Sequence, residues 1–414
     1  MGRKLNLVLL NDSEEKLPKR RPHILVECPE LIASVRVGVL DPLLPGNGQR
    51  FDVRFTRTID VGPADLVWAD ILITVRGCEQ MTLQIVKEAK RLHRFVIYYL
   101  DDDLLHLPED CSCYASFRDN GQDKTLRDIL GQCDVLWGVN LRIRDQYLPL
   151  CGGQRWIHNR VPATIPVPRE RQQSEQIHIL YAGSADHEKS IRQFITPAVL
   201  NVCKRLKERV HFTFVGADPG IRNDPHVTYH RYFDDYNAYR EFVLQGDFPI
   251  AMAIVRMENF YQCKYYNKFI EYTAIGAVGI YTDCDLYSQI IRDGENGILC
   301  ENSVEGWENA IMRLVEASDL RDRCLKNAQT LIRTQFQPDY IFQDLLTQTP
   351  EFYSYYAPMY IEAQVRLQSM KQILIKDRIK NLFHRYKLLA IPIIGYKVLK
   401  KLYKMIRKVL PYDC

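Results

Sequence analysis

No run of the 414-residue sequence is long and apolar enough to span a bilayer. The longest apolar stretch near its end, Leu388 to Tyr396, is short and holds a proline and a glycine. Met1 to Pro22 is polar and basic, without the apolar core of a secretory signal. The twelve cysteines are scattered and form no CxxC pair; Cys111 and Cys113 lie nearest one another. That spacing excludes a zinc ribbon, and together with the polar leader it predicts reduced thiols in a cytoplasmic setting rather than a disulfide framework. No Walker sequence is present. Gly46-Asn47-Gly48 lacks the third glycine and the preceding strand of a dinucleotide fingerprint, which argues against dehydrogenase chemistry. Short repeats and low-complexity tracts are absent, and no module interleaves aromatics with basic residues as nucleic-acid binding would require.

What remains is globular. Hydrophobic residues make up 46% and charged residues 26%, enough to bury a core in each of two domains. The net charge of +4 is unevenly spread. Lys371 to Lys408 holds twelve Lys/Arg against the single acid Asp377, so subtracting that +11 from the total leaves −7 for the rest of the chain. The basic character belongs to the tail.

Short apolar runs alternate with helical spacing. His23 to Cys28, Phe51 to Phe55, Trp68 to Val75, Phe95 to Leu100, Val135 to Val139 and Trp156 to Asn159 read as strands. Met81 to His93 and Leu126 to Leu130 read as helices between them. Pro162, Pro166, Pro168 and the polar run Arg169 to Gln176 read as a linker. A second series follows, with strands at Ile177 to Tyr181, Val210 to Val215 and Phe248 to Val255, and helices at Ser190 to Leu206, Trp307 to Ala317 and Leu320 to Thr334. The alternation predicts α/β architecture with parallel sheets covered on both faces.

Asn267 to Asp283 reads as a helix, a glycine turn at Gly276 and a buried strand. Lys268 and Glu271 stand three apart on that helix and leave the same face. Arg292 to Leu299 supplies a second turn and strand. These segments, with Tyr181-Ala182-Gly183-Ser184, His187 and Trp156 to Pro162, resemble the GT-B glycosyltransferases, in particular the retaining family 4, also called group 1. The likeness covers roughly residues 60–335 and is strongest after 177.

The resemblance implies two Rossmann-like domains whose parallel sheets face a central cleft, where ligands meet the carboxyl ends of the strands. It implies that Glu271 accepts bonds from the ribose hydroxyls of a nucleotide-sugar donor. Lys268 and the Gly183-Ser184 turn at a helix N-terminus then face its diphosphate, joined by Lys189 and Arg256. His187 is expected near the transferred sugar, and with Lys268 forms the catalytic set. On the acceptor side Arg76, Asp102 and Asp103 are expected to line the cleft. Asp101-Asp102-Asp103 has the form of an acidic metal motif, but it stands in the N-terminal half, so no metal and no cofactor beyond the nucleotide-sugar are expected. Two positions depart from the family. Cys263 stands where an earlier glutamate is common, and Ser190 where an acid is common.

Lys397, Lys400, Lys401, Lys404 and Lys408 fall on one helical face, and Val398, Leu399, Leu402, Met405, Ile406, Val409 and Leu410 on the other. Such a helix is expected to lie on an anionic membrane surface, at the inner face. The expected boundaries are a polar leader at 1–21, an acceptor domain at 22–168, a nucleotide-sugar domain at 169–345, helices crossing back to the first domain at 346–390, and the basic amphipathic helix at 391–414. The expected function is transfer of a sugar to a glycan or lipid-linked acceptor in surface polysaccharide or glycoconjugate synthesis. A non-catalytic GT-B relative and a membrane-tethering adaptor are the alternatives, and nucleic acid is not an expected partner.

Overall fold

The computed structural model describes residues 20–111, 114–165, 176–233 and 235–358. The leader up to residue 19, the linker at 166–175 and the expected basic helix at 391–414 lie outside them. Strands β1 (His23–Cys28), β2 (Asp52–Arg57), β3 (Ile71–Val75), β4 (Phe95–Leu100), β5 (Val135–Gly138) and β6 (Trp156–His158) form one sheet, in the order β2-β1-β3-β4-β5-β6. Strands β7 (Ile177–Gly183), β8 (Val210–Gly216), β9 (Val227–His230), β10 (Ile250–Ala253), β11 (Val278–Thr282) and β12 (Ile298–Cys300) form a second, in the order β12-β11-β10-β7-β8-β9. Every pairing is parallel.

The continuous apolar runs explain the central strands. All five residues of β3 are buried, as are all four of β10 and all five of β11, which is the signature of strands covered by helices on both faces. One expected strand is shorter than its sequence suggests. Pro63–Trp68 is helical and only Ile71–Val75 is extended. Pro63 stands at the first helical turn, and the Asp65 carboxylate accepts from the Gly62 N–H at 2.9 Å, so local capping overrides the apolar run. The edge strand β9 has no strong signal, because four residues are too few to show alternation.

After the second sheet the chain returns to the first lobe. Helix Pro338–Gln348 and the turn Glu351–Ser354 place Phe342 and Phe352 against Phe51, with ring centroids 6.0 and 5.8 Å apart. Phe352 also meets Trp137. Asp70, fully buried, accepts from Arg20 Nη2 at 2.6 Å, from the His23 N–H at 2.8 Å and from the Ala357 N–H at 2.9 Å. One carboxylate therefore ties both ends of the described chain to the first sheet. The second lobe closes around Trp307, Phe212, Phe214 and Ile280.

Candidate active site

The carboxyl ends of β4, β7 and β10 converge on a cavity of about 330 Å³. Residues of both lobes line it: Ser34, Asp101 and Asp102 from the first, and Gly183, Ser184, His187, Tyr261, Lys264 and Lys268 from the second. Strand ends are where parallel α/β sheets hold ligands, because the loops there are free of ladder hydrogen bonds and the following helices point their N-termini inward.

On the second-lobe wall the backbone leaves β7 at Gly183 and turns at once into a helical run that continues to Leu206. Ser184 is the N-cap of this run, yet its hydroxyl bonds the Asp186 carboxylate at 3.1 Å rather than the backbone. A side chain at Gly216, which has φ +88°, would meet the Gly183 carbonyl oxygen at 2.1 Å, so glycine is required beside the turn. The His187 ring packs near Tyr261 at 5.6 Å, and its Nδ1 is buried without a hydrogen bond. Burial, assisted by Lys264, pushes its pKa down to about 4, so the imidazole is neutral near pH 7.

Lys268 and Glu271 sit on helix Asn267–Ala274, which ends at Gly276 with φ +81°. The Gly276 N–H bonds Thr273 O and the Ala277 N–H bonds Tyr272 O, a glycine-terminated helix end. Lys268 Nζ reaches Glu271 Oε2 at 2.6 Å, and the Tyr239 hydroxyl donates to Glu271 Oε1. The pair expected from spacing is formed, but only Lys268 lines the cavity. Glu271 stands behind it as a part-buried carboxylate.

The first-lobe wall is built on Arg76, whose φ of +54° is unusual for a residue with a side chain. Its N–H bonds Tyr99 O at 3.0 Å, and its guanidinium meets Asp102 at 2.8 Å and Asp101 at 3.5 Å. Burial raises the Asp101 pKa, with Arg76 opposing. Lys264 crosses from the second lobe to Asp102 at 3.0 Å. Arg76 thus stands behind the carboxylates rather than lining the cavity.

Asp103 departs from its expected place in the cleft. It is fully buried and accepts from the Tyr147 hydroxyl at 2.6 Å and Asn259 Nδ2 at 2.6 Å, with His106 Nδ1 at 2.9 Å. The three aspartates follow the end of the strand at Leu100, and the chain bends at 101–102 into the short helical turn Leu104–His106, which turns Asp103 into the protein rather than onto the cavity. Arg256 also misses the cavity. It pairs with Asp110 at 2.8 Å and Glu258 at 2.6 Å and stacks on Tyr261. Lys189 is exposed and outside the lining set. Cys263 is buried with its Sγ 3.8 Å from Asp103, outside the lining set as well.

Ser34, Tyr261 and Lys264 line the cavity without a sequence signal that marks them, and Asp101 joins Asp102 on it. Asn140, likewise unmarked, caps helix Leu141–Tyr147 and donates across the lobes to the carbonyls of Gln262 at 2.8 Å and Lys264 at 3.1 Å. An Asn directly after a strand and before a helix is a legible cap signal; its second bond is not.

Residues 176–317 match the family described as "Glycosyl transferases group 1". A structure of Alr3699/HepE from Anabaena in complex with UDP superposes with a TM-score of 0.56 at 12% identity, covering 80% of this chain and 100% of that one. Both lobes are included. The fold is GT-B. Sucrose-phosphate synthase (tll1590) from Thermosynechococcus elongatus superposes on the GT-B core with a TM-score of 0.55 at 13% identity, covering 81% of this chain and 100% of that one. A glycosyltransferase from Rickettsia africae gives 0.55 at 12% identity, with 81% and 99% covered. No curated protein matches the chain in sequence. In GT-B terms the cavity is the cleft between the two Rossmann-like lobes. Among the described residues, no helix is long and apolar enough to cross a membrane.

Proposed function

We propose that this chain transfers a sugar from a nucleoside diphosphate donor to a hydroxyl of a glycan or lipid-linked acceptor, with retention at the anomeric carbon. One observation carries the reading: the Gly183-Ser184 turn, neutral His187 and Lys268 meet in a single cavity opposite a polar wall of the other lobe. The Anabaena protein of the same fold holds UDP, which supports a donor of this class.

The diphosphate would lie against the open helix N-terminus and Lys268, with Glu271, which stands behind Lys268 rather than on the cavity, holding that ammonium in place. Tyr239 and Lys268 already orient that carboxylate. As the bond from the anomeric carbon to the β-phosphate oxygen breaks, positive charge grows on the sugar and negative charge on the leaving group. Lys268 and the helix terminus stabilise the latter without reorganising. The acceptor oxygen bonds the anomeric carbon, and its proton passes to the released diphosphate. Neutral His187 can give or receive a hydrogen bond beside the sugar without adding charge. The amphipathic basic segment at 391–414 would hold the enzyme at an anionic inner membrane face, as surface glycan assembly requires.

Thermal shift with UDP-, GDP- and CDP-sugars tests donor binding, and release of nucleoside diphosphate tests turnover. No shift with any of them sinks the proposal. The departures from the family pattern at Cys263 and Ser190 favour a second reading, a binding protein of the same fold without turnover. That protein would bind nucleotide and release none.

A further inference from the structure

Residues 254–266 join β10 to the helix Asn267–Ala274 and so belong to the second lobe, yet several of their polar contacts run to the first. Asn259 Nδ2 donates to Asp103 at 2.6 Å, and Asn259 Oδ1 accepts from Arg142 Nη1 at 3.0 Å. Asn140 Nδ2 donates to the carbonyls of Gln262 and Lys264. The Tyr265 hydroxyl accepts from the Val161 N–H at 3.0 Å. Three parts of the first lobe therefore grip this strap, and they fix the backbone of Lys264.

The Lys264 side chain is not fixed in the same way. Its Nζ lines the cavity, meets Asp102 Oδ1 at 3.0 Å and lies 4.8 Å from the centre of the Phe260 ring. It is also close enough to His187 on the opposite wall to help hold that imidazole neutral. A four-carbon stem lets such an ammonium swing between acceptors while its backbone stays still. The two cavity lysines differ in their partners. Glu271 stands behind Lys268 on the same helix, outside the cavity lining, whereas Asp102 faces Lys264 across the lobes and lines the cavity itself. A diphosphate in the cavity must therefore share Lys264 with a carboxylate of like charge, and two anions held close in a partly buried cleft repel. Asp102 can yield the ammonium because it has a second cation. Arg76 lies 2.8 Å from it and is itself steadied by a 3.3 Å bond to the Ser34 hydroxyl.

We propose that Lys264 is a shared ammonium, bound to Asp102 in the empty protein and to the diphosphate when nucleotide is present, and that Asp102 is an internal competitor that limits how tightly nucleoside diphosphate is retained. The proposal rests on the glycosyl-transfer reading and deepens it. Lys264 is the binding residue, and Asp102 is a positioning residue that acts on the nucleotide only through it. As the diphosphate leaves, Lys264 returns to Asp102, so the first lobe takes part in clearing product from the second.

The experiment is a double-mutant cycle on the full-length protein. The probe is whichever of UDP, GDP and CDP gives the largest thermal shift, titrated calorimetrically, with the nucleoside of the same base as control. Lys264→Met should weaken diphosphate binding about tenfold, the loss of one charge-assisted bond, and leave nucleoside binding within about twofold. Asp102→Asn should do the opposite and tighten diphosphate binding about fivefold, because Lys264 no longer has to be drawn from a carboxylate. In the double variant that gain should shrink to less than about twofold over Lys264→Met alone, since the two residues act through one contact. Asp102→Ser takes the place of Asp102→Asn if the latter does not fold. Unchanged diphosphate affinity in Lys264→Met, equal weakening of diphosphate and nucleoside, or no gain from Asp102→Asn overturns the proposal. So does a gain above twofold that persists in the double variant, which would assign it to Arg76 or to the lost charge alone. Failure of the wild-type protein to bind any of the three diphosphates instead overturns the glycosyl-transfer reading itself.

Discussion

In the first lobe Glu27 lies fully buried near the cleft end of β1, among Thr58, Thr74 at 2.7 Å and Thr82 at 3.3 Å. Burial raises its pKa to about 7, although the threonine hydroxyls oppose the shift. In the second lobe His187 lies near the cleft end of β7, and burial lowers its pKa to about 4. One physical effect, loss of water around a charge, acts on both. Because one group is an acid and the other a base, it gives the two lobes opposite pH dependence.

The sign follows from proton binding. Folded Glu27 holds its proton more tightly than the unfolded chain does, so its contribution is greatest in acid and falls away as pH rises from about 4.5 to about 7. Folded His187 holds its proton less tightly than the unfolded chain does, so its contribution falls away as pH drops from about 6.5 to about 4.

The largest expected effect breaks the first lobe alone. Asp70→Ala removes the carboxylate that joins Arg20, His23 and Ala357, and should cost about 3–5 kcal/mol, read as a lower urea midpoint. Amide exchange should rise around β1 and β3 and stay unchanged around β11. Equal loosening of both lobes would contradict this partition.

Next come the two titrating groups, each worth about 3 kcal/mol over its window at roughly 1.4 kcal/mol per pKa unit. Glu27→Gln should remove the decline in first-lobe stability between pH 4.5 and 7, and His187→Phe the decline in second-lobe stability between pH 6.5 and 4. Hydrogen exchange resolved by lobe checks both slopes. Parallel slopes in the two lobes would end the comparison.

A smaller effect is expected for Glu271→Ala. It should weaken nucleotide binding about tenfold, or about 1.4 kcal/mol, by isothermal titration, while the slope assigned to Glu27 stays as it was. Unchanged affinity would remove Glu271 from the donor site. Smallest is Arg313→Ala, which breaks a surface pair with Asp293 at 3.0 Å and should move the urea midpoint by less than about 1 kcal/mol.

Much of the frame is legible in the chain. His23–Cys28 is a strand with the bounds its apolar run suggests, and Asn267–Ala274 is a helix closed by Gly276. Both depend on neighbours in sequence: side-chain period, caps and a turn glycine. Lys268 and Glu271 pair for the same reason, being one helical turn apart. Lys264, Ser34 and Asn140 were not legible in these roles, because their partners lie 162, 42 and 122 residues away.

The order of strands and helices, the burial of β3, β10 and β11, and the grip of Lys268 on Glu271 belong to the sequence, since each follows from local periodicity and short-range contact. Which of three consecutive aspartates reaches the cleft, and which basic residues are already neutralised there, was decided by the tertiary structure. Lys264 and Asp102 stand 162 residues apart along the chain, yet they come to 3.0 Å once two sheets face one another. At that range the pairing of charges, rather than their presence, sets what the cleft can accept.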